Sequence, residues 1–136
     1  MENCIFCKIA EGSIPSIKVY EDEDFLAFQA LSQVNKGHCL FIPKKHSNNF
    51  LEMEPSLASK MNEKIQTIAR AMMKGLKAEG INLITNINEA AGQEIIHTHI
   101  HIIPRYSKDG VKMPSLKETD EEERIIFAEK IIKELE

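Results

Sequence analysis

The sequence predicts an α+β domain: an antiparallel sheet with helices packed on it. Short apolar segments of strand character fall early and late in the chain, with one long amphipathic helix between them, and no regular strand–helix alternation links them. The 136 residues show no internal repeat, low-complexity tract or long linker, so residues 1–136 read as one domain.

Cys4 to Ala10 reads as a short helix stopped at Gly12. Ile17 to Tyr20 and Phe25 to Phe28 read as strands around the acidic turn Glu21-Asp22-Glu23-Asp24, and Cys39 to Ile42 as an apolar strand stopped at Pro43. Leu57, Met61, Ile65, Ile68, Met72 and Leu76 recur at steps of three and four and make one apolar stripe. This helix starts at Pro55, and Gly80, just past Lys74 and Lys77, is its expected stop. Strands follow over Ile81 to Ile87 and Ile95 to Ile103, joined through Glu89-Ala90-Ala91-Gly92-Gln93, with Pro104 ending the second. A last helix covers about 120–135; Thr119 with Glu122 suits a capping box, and Ile125, Ala128, Ile132 and Leu135 form its packing stripe.

Composition narrows the function classes. With 43% hydrophobic residues, a chain of this length buries enough surface to fold without disulfide or metal. A net charge of −4 gives no overall basic field for nucleic acid or an anionic membrane, so neither is an expected partner. No apolar run approaches the ~18 residues of a membrane span. The first ten residues lack the pattern of a secretory signal, so the cytoplasm is the expected location and the three cysteines are expected reduced.

The richest signal is His97-Thr98-His99-Ile100-His101-Ile102-Ile103. Alternate residues of a strand share a face, so the three imidazoles should project to one side, about 6.6 Å apart per step, with Ile100 and Ile102 toward a core. Three imidazoles on an apolar strand are costly unless each has a partner. Imidazole serves as nucleophile, proton shuttle or metal ligand. The other two histidines, His38 and His46, flank the Cys39 strand, as if all five meet in space.

Together these segments resemble the histidine triad (HIT) family. His-x-His-x-His followed by two apolar residues is similar to its signature. Cys4-Ile5-Phe6-Cys7-Lys8-Ile9 resembles its N-terminal segment, and Gly37-His38 through Pro43-Lys44-Lys45-His46 its Gly-His-x-Leu-x-Ile-Pro-Lys-x-His stretch. Asn86 and Ala91-Gly92-Gln93 resemble the residues before the triad, and Ile102-Ile103-Pro104-Arg105 the ending of bacterial-type members. The resemblance implies a HIT-like fold that dimerises, and nucleotidyl transfer or hydrolysis at the α-phosphorus of nucleoside phosphoramidates or dinucleoside polyphosphates. AMP or GMP conjugates are the expected ligands, and no organic cofactor is expected.

The resemblance also implies roles. His99 matches the nucleophile, forming a nucleotidyl intermediate that water hydrolyses; neutral imidazole is a competent nucleophile near pH 7. His101, His38 and Gln93 would act at the phosphate, a purely structural loop role being the alternative for Gln93 and Asn86 and a backbone-bonding role the alternative for His38. Gly92 would let backbone N–H groups approach it, and Asn86 would hold that loop or reach ribose or phosphate. Ile5, Phe6, Ile9, Phe28, Leu31 and Leu40 match base-pocket positions. Two residues depart from the pattern: Ala30 stands where an acidic residue commonly bonds the ribose, and Glu94 where some branches carry Ser or Thr near the leaving group.

Cys4 and Cys7 form a Cys-x-x-Cys pair outside any βαβ context, which suits zinc better than redox chemistry, although two reduced cysteines can also pack as small apolar groups. Bacterial-type members of the family imply Cys4, Cys7, His46 and His97 as ligands of a structural zinc ion. Cys39 reads as merely buried. Two other readings remain open at this point: a zinc-dependent hydrolase with the histidines as catalytic ligands, and a nucleotide-binding protein with little turnover. No Gly-x-x-x-x-Gly-Lys loop is present, against an ordinary NTPase.

Overall fold

The computed structural model describes residues 3–135; residues 1, 2 and 136 of the expected domain lie outside the described residues. The elements are α1 (Ile5–Glu11), β1 (Lys18–Glu21), β2 (Phe25–Gln29), β3 (Cys39–Pro43), α2 (Pro55–Gly75), β4 (Gly80–Ile84), β5 (Ile100–Arg105) and α3 (Glu121–Leu135). The strands form one antiparallel sheet in the order β1-β2-β3-β5-β4. The α+β expectation therefore holds.

Period-two alternation sorts the strands between two cores. Phe25, Ala27, Cys39, Phe41, Ile100 and Ile102 face α2, meeting Met61, Ile65, Ile68 and Met72. Leu26, Phe28 and Ile42 face the other way, onto Cys4, Phe6 and Ile9 of the α1 segment. The 21-residue α2 covers one face of the sheet, whereas the seven-residue α1 covers only part of the other. The space left on the α1 side becomes the site.

Several boundaries differ from the sequence reading. α2 starts at Pro55 as expected but stops at Gly75; Lys77 takes the left-handed turn at φ 54°, and Gly80 opens β4. β4 ends at Ile84 rather than Ile87. β3 stops at Pro43, its last residue, whereas Pro104 lies inside β5, where that strand has passed its last β3 pair, Cys39–Ile102. The cap of α3 is Asp120, whose Oδ1 accepts the Glu123 N–H at 2.9 Å, not the Thr119–Glu122 box. Ile125, Ala128, Ile132 and Leu135 do not pack on this chain: no residue of α3 is buried.

A further boundary correction concerns the histidine segment, expected in a strand from Ile95 to Ile103. β5 begins only at Ile100, so His101 lies in the strand, while His97 lies in a bend and His99 in the irregular chain just before the strand. Pro43 has no N–H to extend the β3–β5 ladder. The Thr98 N–H bonds Ser47 O at 2.8 Å instead, and the Thr98 and Ser47 hydroxyls pair at 2.6 Å. All three imidazoles still lie on the α1 side, His97 against Cys4 and Phe6, His99 against Phe6 and His101 beside His99, while Ile100 and Ile102 face α2 as expected.

Candidate active site

Hydrogen-bond partners assign the ring tautomers. His99 Nδ1 lies 2.7 Å from the His97 carbonyl, which only accepts, so Nδ1 carries the proton. The lone pair is then on Nε2, which has no partner among the described residues and is not sealed from solvent. His38 Nδ1 accepts the Val34 N–H at 3.0 Å, so its Nε2–H donates to His101 Nδ1 at 3.0 Å. That leaves the His101 proton on Nε2, also free of partners. The His99 and His101 rings lie 5.1 Å apart, centroid to centroid. Burial, then repulsion from His99 and His38, pushes His101 down to about 4, and burial lowers His38 too, so the relay is neutral near pH 7.

These rings open onto a cavity of about 940 Å³. Of the residues expected at the substrate, Ile5, Phe6, Ile9, Phe28, Leu31, Leu40, Asn86, Gly92, His38, His99 and His101 all line it. His99 is only 6% exposed, yet it forms part of the cavity wall rather than a closed interior. Phe6 packs edge-on against His99 at 5.2 Å and against His97 at 5.8 Å, holding the two rings apart. Ala30 and Glu94 also line the cavity. The neighbouring Gln29 and Gln33 amides are spent on each other and on backbone carbonyls.

Gln93 does not line the cavity. It is buried, its Oε1 accepts the Asn88 N–H at 2.9 Å, and its Nε2 donates to Asn48 O at 2.6 Å and Ile95 O at 3.0 Å. Asn88 needs such support: φ 72°, ψ 163° is a backbone region that side chains other than glycine's disfavour. Gly92, at φ 95°, closes the same turn and brings it to the cavity.

Behind the cavity, ligand atoms of Cys4, Cys7, His46 and His97 lie within 4.8 Å of one another. His97 Nε2–H donates to Pro43 O at 2.8 Å, and His46 Nε2–H to Asn48 Oδ1 at 3.1 Å. Both Nδ1 lone pairs therefore face inward, 3.3 Å apart, with no proton between them. Cys4 Sγ and Cys7 Sγ lie 3.2 and 3.5 Å from His97 Nδ1, and Cys7 Sγ lies 3.4 Å from His46 Nδ1. A tetrahedron with bonds of ~2.05 Å to nitrogen and ~2.3 Å to sulfur has edges of about 3.3 Å (N–N) and 3.6 Å (N–S). Two facing lone pairs and two thiols at those spacings fit a metal ion. Among the described residues this is the group that converges on a metal position, and His99 and His101 are outside it. Burial holds His97 down to about 4, and burial with the Cys4 hydrogen bond pushes the Cys7 thiol up.

Sequence reasoning missed several contributors, Ile14, Ser16 and Asn48 among them. Ile14 and Ser16 line the cavity, and the Ser16 hydroxyl is the one buried side-chain polar atom without a partner among the described residues. Asn48 orients His46 and anchors Gln93. No motif marks any of them.

Comparison with known proteins agrees with this geometry. The family model described as "HIT domain" matches residues 11–108. "Protein hit" of Bacillus subtilis (strain 168) is 52% identical over 79% of this chain and 74% of its own length. Adenylylsulfatase HINT3 of Arabidopsis thaliana is 42% identical over 79% of this chain and 54% of its own length. The crystal structure of SMU.412c from Streptococcus mutans UA159 superposes with a TM-score of 0.94 at 47% identity, covering 100% of this chain and 87% of that one. A zinc-bound histidine triad family protein from Mycobacterium smegmatis superposes with a TM-score of 0.78 at 34% identity, covering 99% of both. By the matched domain, the relatives and the arrangement of its histidines, this chain belongs to the HIT family.

Proposed function

We propose that the protein is a nucleotide hydrolase or transferase that works through a nucleotidyl bond to His99. Its substrates would be nucleoside phosphoramidates or dinucleoside polyphosphates, attacked at the α-phosphorus. One observation carries the reading: two neighbouring ring nitrogens of opposite character open onto one cavity, a lone pair at His99 Nε2 and an N–H at His101 Nε2.

In this reading the apolar wall of Ile5, Phe6, Ile9, Phe28 and Leu40 takes the base, with Leu31 at the rim and Asn86 and Gly92 beside the phosphate. His99 Nε2 attacks phosphorus as the bond to the leaving amine or phosphate breaks, and the leaving group takes a proton from water at the open mouth. The imidazolium so formed keeps its Nδ1–H on the His97 carbonyl, which stabilises the new charge. His101 Nε2–H donates to a non-bridging oxygen, and His38 holds His101 in that tautomer. Water then attacks phosphorus, its proton passing to the hydroxide left by the first step, and His99 leaves as neutral imidazole. Gln93 serves by holding the loop. Ala30 offers the sugar no carboxylate; the carboxylate that lines the cavity is that of Glu94. The Arabidopsis relative, an adenylylsulfatase, agrees with a nucleotide substrate.

Cys4, Cys7, His46 and His97 would hold a structural zinc ion, as the zinc-bound mycobacterial neighbour encourages. Bound zinc would cross-link the start of α1 to the approaches of α2 and β5, and no reaction step passes through it. The chain would be one cytoplasmic domain that forms homodimers. Among the described residues no helix is long and apolar enough to cross a membrane.

Incubation with an AMP phosphoramidate tests the proposal. Wild type should release AMP, and His99→Ala should lose at least ~10³-fold. Turnover kept by His99→Ala but abolished by a chelator would favour a zinc-dependent hydrolase. Tight AMP binding without turnover in the wild type would favour a nucleotide-binding protein.

A further inference from the structure

Asn48 bonds both a member of the Cys/His cluster and the residue that holds the cavity loop. Its side-chain oxygen accepts His46 Nε2–H at 3.1 Å, and its amide nitrogen donates to Glu52 Oε1 at 3.1 Å. The second bond fixes which way the amide faces, so the oxygen is kept for His46. Its backbone carbonyl accepts Gln93 Nε2 at 2.6 Å. Gln93 then holds Asn88 in its disfavoured conformation, and the same turn carries Gly92 to the cavity wall. A ring fixed at His46 thus fixes Asn48, then Gln93, then the wall of the cavity.

We propose that Asn48 is a positioning residue that couples the Cys4/Cys7/His46/His97 metal site to nucleotide binding, through its side chain on His46 and its carbonyl on Gln93. The inference rests on the zinc and nucleotide readings above. Partners that orient a ligating imidazole typically set metal affinity by 10–100-fold. Coupling of two sites is reciprocal: if zinc tightens the nucleotide, the nucleotide tightens zinc by the same factor.

The test uses zinc and AMP as probes on the full chain. Zinc affinity is measured by competition with a chromophoric chelator, with and without AMP, and AMP affinity by calorimetry with and without zinc. Asn48→Ala should bind zinc about 10–100-fold more weakly. Glu52→Ala, a change at an exposed residue that leaves His46 its acceptor but frees the Asn48 amide to turn, should show a smaller loss in the same direction. In the wild type, zinc and AMP should tighten each other by one common factor of about fivefold or more. In Gln93→Met that factor should collapse toward one while zinc still binds. Wild-type zinc affinity in both Asn48→Ala and Glu52→Ala, or AMP affinity indifferent to zinc in the wild type, would overturn the proposal. A wild type that binds zinc but no AMP would instead sink the nucleotide reading and the coupling with it, while the Asn48→Ala zinc arm would still decide whether Asn48 positions His46.

Discussion

His99 donates its Nδ1–H to the backbone carbonyl of His97 at 2.7 Å, so the tautomer of one imidazole is set by the main chain of the residue two places before it. The His97 side chain points elsewhere, into the Cys/His cluster. One short segment thereby anchors the cluster with a side chain and presents a lone pair to the cavity with a carbonyl.

His38 acts through His101, and mutation should show it. His101→Ala should lower kcat by about 10²–10³, the usual loss for a donor to developing phosphoryl charge. His38→Ala should cost on the order of tenfold, one hydrogen bond's worth. The double variant should match His101→Ala within about threefold, because the two act in series. Additive losses in steady-state kinetics would show that His38 touches substrate by itself.

Metal removal should destabilise the fold before it alters the chemistry. With free zinc at 1,000 times its Kd, bound zinc stabilises by about 4 kcal/mol, on the order of 10–20 °C in Tm. Chelator-treated protein should melt lower by that amount, and Cys7→Ser should resemble it even with zinc present. Equal melting curves with and without zinc would remove the ion from the account.

Stability should fall in mild acid. Burial lowers His38 and His101 below the ordinary histidine value, His101 to about 4. The unfolded chain then binds more protons than the folded one between pH 6.5 and about 4. Stability present above pH 6.5 is therefore lost progressively as pH falls toward 4. Urea midpoints measured across that range should drop, and His101→Asn should flatten the slope; a flat wild-type profile would contradict the neutral relay.

The last helix should mediate self-association. Ile125, Phe127, Ile131, Ile132 and Leu135 are all exposed, and a 15-residue helix is marginal without packing. The Streptococcus mutans structure superposes over the full chain, this helix included. Light scattering should report a dimer for the full chain and a shift to monomer when residues 114–136 are removed. A monomeric full chain would leave α3 without a partner and refute this reading.

The sequence made most elements legible because burial writes a period. The α2 stripe and the alternation in Phe25–Phe28 each name their own structure. The histidine run named its face but not its strand start: His-x-His-x-His has the period of a strand, but Pro43 cannot extend the ladder and Ser47 captures Thr98, so regular pairing starts only at Ile100. The cavity wall was legible only by resemblance, since Phe6 and Leu40 look like any core residue. A loop role for Gln93 was one of two readings open in the sequence, but its partner Asn48 was not legible, because a hydrogen bond across 45 residues of chain leaves no local pattern.

The central claim is a bond between phosphorus and His99 Nε2. Rapid acid-free quenching of wild type during turnover of an AMP phosphoramidate, followed by peptide mass mapping, reads it directly. The account predicts a nucleotidyl mass on the peptide containing His99, absent from His99→Ala. Rapid turnover with unmodified His99 at every quench time, or the same adduct on another residue, would contradict it.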